Sequence, residues 1–128
     1  MSNDSVIKTY QDLEVWKQSH NFVTLIYKIT RTFPENEIYG IVTQIRRAAY
    51  SIPANIAEGN AKQYLKEYIQ SLYYSKASLN ETRYFLLLSK DLKYIKENKY
   101  NELISLLDHI EIMLMGLIKS LKRKLKSK

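Results

Sequence analysis

The chain has 128 residues, 45% of them hydrophobic and 26% charged, a balance that suits one globular domain and excludes a disordered chain. With no cysteine, a disulfide framework, a thiolate metal site and a cysteine nucleophile are excluded as well. The net charge is +7, but six of the twenty Lys and Arg and none of the thirteen Asp and Glu fall in 119–128, so 1–118 carries only +1 and charge arguments concern the C-terminal end first.

Three Gly and two Pro leave few places for tight turns, which favours long helices. The opening MSNDSVIKTYQDLEVW lacks the basic and apolar regions of a secretory leader. The longest apolar segments, Tyr84–Leu88 and Ile112–Ile118, fall far short of the ~20 residues that cross a bilayer, so no transmembrane segment and a cytoplasmic location are expected.

Asp12 is placed to cap a first helix that reaches about Phe33, because Trp16, Val23, Ile26 and Ile29, with His20 and Tyr27 beside them, recur at three- and four-residue spacing. Pro34 and the polar Glu35–Glu37 end it. A second helix is expected from near Glu37, carrying Ile38, Ile41, Val42, Ile45, Ala48, Ala49, Ile52, Ile56 and Ala57. Pro53 should bend this helix rather than stop it, since the apolar spacing resumes beyond it. Gly59 is then free to close the helix with φ > 0.

A third helix spans about Tyr64 to Lys90, with Ile69, Leu72, Tyr73, Lys76, Leu79, Arg83, Leu86 and Leu87 on one broad side. Tyr, Thr and Ile also favour strands, but the alternation a strand requires is missing. After Asp91–Asn98, Leu103, Leu107, Ile110, Leu114, Leu117 and Leu121 follow a bundle seam on a fourth helix. Short connections place consecutive helices antiparallel, so the expected fold is an all-α up-down four-helix bundle, one domain over 1–128 with 119–128 as a basic helix end or tail.

The segments DLEVWKQSH (12–20), YGIVTQIRRAAYSIPANIAEG (39–59) and KEYIQSLYYSKASLNETRYFL (66–86) resemble the four-helix-bundle family of 23S ribosomal RNA intervening-sequence proteins, also labelled S23 ribosomal protein. The resemblance covers roughly 10–120. It implies kinship with the accessory proteins of diversity-generating retroelements, which form pentameric barrels of four-helix bundles, bear a basic surface and cooperate with a reverse transcriptase. A homopentamer and a nucleic-acid-processing partner are therefore implied by the resemblance, not by the spacing.

Arg46 and Arg47 have three readings: a solvated face with local ion pairs, a subunit contact, or forks on nucleic-acid phosphates. Ser51, Asn55 and Glu58 cluster near Pro53 without a local base, so a structural part is expected, with Asn55 bonding near the proline and Glu58 pairing with a cation. His20 and His109 stand far apart outside any metal motif, so neither a metal nor a cofactor is expected. Trp16 and the eleven tyrosines have the rings to stack on unpaired bases, but Trp16 and Tyr27 better suit the core, and Tyr64, Tyr68, Tyr73, Tyr74 and Tyr84 a mixture of core and subunit contacts. Lys119, Lys122, Arg123, Lys124, Lys126 and Lys128 fit either a solvated helix end or RNA or DNA held through phosphates; an anionic membrane is a third ligand of the same charge. The resulting expectation is a non-enzymatic, oligomeric nucleic-acid-associated protein, with an oligomeric protein scaffold as the alternative.

Overall fold

A computed structural model describes residues 9–127 as four helices, α1 (Glu14–Thr30), α2 (Thr43–Asn60), α3 (Leu65–Asp91) and α4 (Glu97–Lys126), with no strand among them. Consecutive helices pack side by side, α2 on α3 most extensively, and α1 also meets α4. The four thereby close into an up-down bundle, as the hydrophobic spacing predicts.

Asp12 does not cap α1. It lies in a short 3-10 turn, Tyr10–Asp12, where its carboxylate accepts from the Thr9 N–H at 3.1 Å while Thr9 Oγ1 accepts from the Gln11 N–H at 3.2 Å. This reciprocal box satisfies two donors one turn early, and Leu13 stands at the head of α1 instead. The buried line of α1 is Val15, Ser19, Phe22, Ile26 and Thr30, with Trp16, Val23 and Ile29 half-buried beside it. Ser19 and Thr30 tolerate burial because their hydroxyls donate back to Trp16 O (3.0 Å) and Ile26 O (2.7 Å).

The helix expected from Glu37 begins later. A 3-10 turn (Glu35–Glu37) and a π-helical turn (Ile38–Val42) precede α2, and Ile38 is exposed rather than part of the core. Glu37 organises this corner: its Oε1 accepts from the Ile41 N–H, and its Oε2 accepts from Tyr94 Oη at 2.5 Å. Phe33 packs on the Tyr94 ring, centroids 5.3 Å apart. The α1–α2 and α3–α4 connections are thus tied at one end of the bundle. Lys93, with φ 67°, ends α3, as the Lys93 and Tyr94 N–H groups return to the Lys90 and Ser89 carbonyls.

The helix α2 runs through Pro53, whose ring is buried. Side chains bond the carbonyls on its N-terminal side: Ser51 Oγ donates to Arg47 O, Asn55 Nδ2 to Ser51 O and Ser75 Oγ, from α3, to Ile52 O, each at 2.8 Å. Gly59 does not close α2 with positive φ; it is a buried helical residue. A Cβ there would stand 2.7 Å from Ser71 Cβ and 2.9 Å from Tyr68 Cδ1, so its missing side chain lets α2 and α3 touch. On α3 the inner line alternates small polar and large apolar residues: Ser71, Leu72, Ser75, Leu79, Thr82, Leu86 and Ser89. Leu87, expected inside, is exposed.

The α4 seam holds at Leu103, Leu107, Ile110, Leu114 and Leu121, but Ile118 replaces Leu117 as the buried member. Leu103, Leu107 and Leu114 are fully buried, and such side chains contribute about 1.5–3 kcal/mol each.

Candidate nucleic-acid interface

The antiparallel register sets which charges meet. Along α2 and α3, Arg47 faces Glu81, Ile52 faces Ser75 and Gly59 faces Ser71. Along α3 and α4, Arg83 faces Asp108 and Glu111, and Lys122 faces Tyr73. The last turns of α4 therefore lie level with the first turns of α3 and with the α2–α3 connection, residues 61–64, at the end of the bundle opposite Tyr94.

At that end the sequence-predicted cations continue α4 as helix rather than forming a separate tail. Leu121 is buried and Leu125 packs on the core, which holds the turns against the bundle while Lys119, Lys122, Arg123, Lys124 and Lys126 remain exposed. Lys122 Nζ stands 5.0 Å from the Tyr73 ring centroid. None of these five forms an ion pair among the described residues. Lys128 lies outside the described residues. The fold adds two cations that are remote in sequence, Lys62 and Lys66, which line a groove of about 300 Å³ with Glu58, Glu67 and Tyr74. Linear charge counting missed them because only the antiparallel pairing of α3 and α4 brings the connection to the helix end.

Arg46 and Arg47 point into different environments, as adjacent helical positions must. Arg46 reaches α1: Nε donates to Thr30 Oγ1 at 2.9 Å, an Nη to Tyr27 O at 3.3 Å, and the guanidinium carbon lies 4.4 Å from the Tyr27 ring centroid. It places a positive charge where the last carbonyls of α1 gather. Arg47 donates to Glu81 Oε2 at 2.5 Å and to Gln44 Oε1. The hydrogen bond to Glu81, with that carboxylate's charge, raises its pKa above the ordinary arginine value against a smaller opposing effect of burial. Both guanidinium groups thus have partners within the chain, Arg47 on a half-exposed side chain.

Arg83 binds Asp108 (2.6 Å) and Glu111 (2.5 Å) on α4. Burial opposes its charge, but the two carboxylates outweigh burial and raise its pKa. Glu58 is exposed and forms no ion pair among the described residues, contrary to the expected pairing. Ser51 and Asn55 bond the α2 backbone as described above. Trp16 is half-buried between Tyr10, edge-on at 5.1 Å, and the exposed His20, stacked at 4.9 Å. His109 is exposed on α4. Among the described residues no group of three or more His, Asp or Glu is arranged to hold a metal ion, and no helix is long and apolar enough to cross a membrane.

These features define an all-helical bundle with one basic end. The chain belongs to the 23S rRNA-intervening sequence protein family, whose model matches residues 11–116. A crystal structure of a protein of unknown function from the S23 ribosomal protein family of Bacteroides thetaiotaomicron VPI-5482 is similar, with 28% identity and a TM-score of 0.76, over 82% of this chain and 95% of that one. No curated protein matches the sequence. The family match stops three residues before Lys119, so the basic end of α4 lies beyond it.

Proposed function

We propose that this protein is a non-enzymatic, oligomeric nucleic-acid-binding protein that holds phosphates at the basic end of the bundle. The observation that carries the reading is the set of five exposed cations on the last turns of α4, without an ion pair among the described residues, fixed in place by Leu121 and Leu125. Such a set attracts a polyanion by releasing its counterions and reads backbone charge rather than base sequence. The family description, which names 23S ribosomal RNA, supports RNA as the ligand. A nucleic-acid-processing protein is a natural further partner for such a binder.

Replacing Lys119, Lys122, Arg123, Lys124, Lys126 and Lys128 with Gln tests this without opening the core, since the five described ones are exposed. Titration of a structured ribosomal RNA fragment is expected to show weaker binding by the variant. Its plot of log affinity against log salt is expected to be shallower, because the slope scales as about −0.9 per phosphate contact for duplex DNA and about −0.7 for single strands. Equal affinity and equal slope, with helicity and assembly preserved, would reject this end as the binding element.

A second reading, a scaffold for protein partners, is favoured by one observation. Tyr50 on α2 and Tyr74 and Tyr84 on α3 are all exposed, on the side marked by the Arg47–Glu81 pair. Exposed tyrosines at one face suit a protein contact.

A further inference from the structure

Tyr64 occupies a position that phosphate binding alone does not explain. It stands at the head of α3 with extended backbone (φ −111°, ψ 141°), and the residue is 62% exposed. The connection leading to it is held in place. Asn60 Nδ2 donates to Tyr68 Oη at 3.1 Å, and the Ala61 and Lys62 N–H groups return to Glu58 O and Gly59 O. Among the described residues no other ring stacks on Tyr64. Beside it lies a cavity of about 310 Å³ lined by Gln63, Tyr64, Leu65, Lys66 and Leu125.

The lining combines three chemistries in one small space. Tyr64 offers an aromatic face, Leu65 and Leu125 an apolar wall, and Gln63 an amide that both donates and accepts. Lys66 brings a cation, and it also lines the neighbouring groove with Lys62. A flat group with π-faces and a polar edge, joined to an anionic chain, matches all of these. An unpaired nucleobase is such a group, whereas the bases of a duplex are already stacked on one another and present their faces only at the ends. The cavity lies near the lower limit of small-ligand sites, about 300 Å³, which suits one base rather than a folded oligonucleotide. Charge favours one side for the phosphates. Glu58 and Glu67 offset the charge of Lys62 and Lys66 in the groove on the α2 side, while 119–128 on the α4 side holds no acid.

We infer that the end of the bundle is a single-strand site, in which Tyr64 stacks on an unpaired base of RNA or DNA while Lys66 and the cations of α4 hold the flanking phosphates. This inference rests on the phosphate-binding reading above and adds to it the form of the ligand. It distinguishes single strands from duplex, which charge alone does not.

The full chain is titrated with a fluorescent single-stranded oligouridylate, its deoxy counterpart, an abasic strand of equal length and a blunt duplex, using wild type, Tyr64→Ala and Tyr64→Phe. Base–aromatic stacking predicts that Tyr64→Ala weakens single-strand binding by roughly 5- to 150-fold. Tyr64→Phe retains most of it. Duplex affinity and the salt slope stay unchanged in both variants, and on the abasic strand wild type and Tyr64→Ala bind alike. If Tyr64→Ala binds single strands as tightly as wild type while the Gln-substituted protein loses affinity, the stacking site is overturned and the phosphate reading survives. If wild type binds none of the four probes, both readings fail together. Light scattering on Tyr64→Ala separates a third outcome: loss of assembly would show Tyr64 to be a contact between copies, and that also overturns the inference.

Discussion

Arg46 and Arg47 are one residue apart, yet their surroundings give them different weights in stability. Arg46 is half-buried, donates to Thr30 Oγ1 and Tyr27 O, and covers the Tyr27 ring. Its truncation leaves acceptors at the end of α1 without their cation. Arg46→Ala is therefore expected to lower stability by about 2–3 kcal/mol. The Arg47–Glu81 pair is some 40% exposed on both sides, so water already screens it, and Arg47→Ala is expected to lower stability by less than about 1 kcal/mol. Urea denaturation of the two variants measures the ratio, and equal losses would remove the capping part assigned to Arg46. Tyr94 supplies a pH-dependent counterpart. Its hydroxyl donates to Glu37, and that bond raises its pKa above the ordinary value of 10.0, with desolvation and the Glu37 charge adding to it. A raised pKa means that the fold binds this proton more tightly than the unfolded chain does. The resulting stabilisation is complete below about pH 10 and is lost as pH rises through the higher folded value. Wild type should therefore melt above Tyr94→Phe near neutral pH, and the gap should close in alkali. A gap that stays constant from about pH 8 to about pH 11 would mean that the phenol proton is not the linked group.

At the scale of the element, the same substitution is expected to act in opposite directions on two helices. Gly59→Ala puts a methyl 2.7 Å from Ser71 Cβ and 2.9 Å from the Tyr68 ring, which forces α2 and α3 apart and lowers stability by about 1–3 kcal/mol. Gly116→Ala meets no atom within 4 Å on the exposed face of α4 and gains helix propensity, up to about 1 kcal/mol. Thermal melts that moved the same way would contradict the close approach at Gly59. That approach also shows where sequence reading stopped. A glycine near a helix end reads locally as a terminator, and only the neighbouring helix reveals it as a contact. The four helices and their order were legible because Leu and Ile recur at helical spacing, α4 most clearly. The strict seam chose Leu117 because it assumed 3.5 residues per turn, whereas a helix nearer 3.6 drifts and brings Ile118 inward. On α1 and α3 the inner lines were obscured by Ser19, Thr30, Ser71, Ser75, Thr82 and Ser89, all buried. Hydroxyls such as those of Thr82 and Ser89 donate to carbonyls one turn back, so hydropathy marks as surface what packs as core. At the basic end, the α4 cations could be read from the chain itself. Lys62, Lys66 and Tyr64 could not, since their relation to α4 exists only in the folded register.

For the whole molecule, the strength of binding depends on how many basic ends act together. One bundle presents five described cations on α4, a modest set at physiological salt, since each phosphate contact weakens as salt rises. Several copies with their basic ends held near one another would make later contacts intramolecular, and avidity then exceeds the affinity of any single end. In the proposed oligomer, the exposed tyrosines are the surface offered for contact between copies. Tyr50, Tyr74 and Tyr84 combine large apolar area with a hydroxyl at the wet margin, and a closed pentamer is the assembly proposed. Replacing all three by Gln leaves the charge and the inner lines of α2 and α3 intact. The variant is expected to keep its helicity by circular dichroism, to scatter as a smaller particle than wild type, and to bind the same RNA at least about tenfold more weakly, because linked sites gain that much or more over separate ones. A concentration series of light scattering on wild type comes first. If wild type scatters as one chain at micromolar concentration, assembly fails, and the phosphate reading must then rest on the cations of a single bundle. If the variant keeps its size but loses RNA affinity, the tyrosines touch the nucleic acid rather than another copy. Loss of size and affinity together, with the salt slope falling in the same proportion, assigns both properties to the gathering of the basic ends.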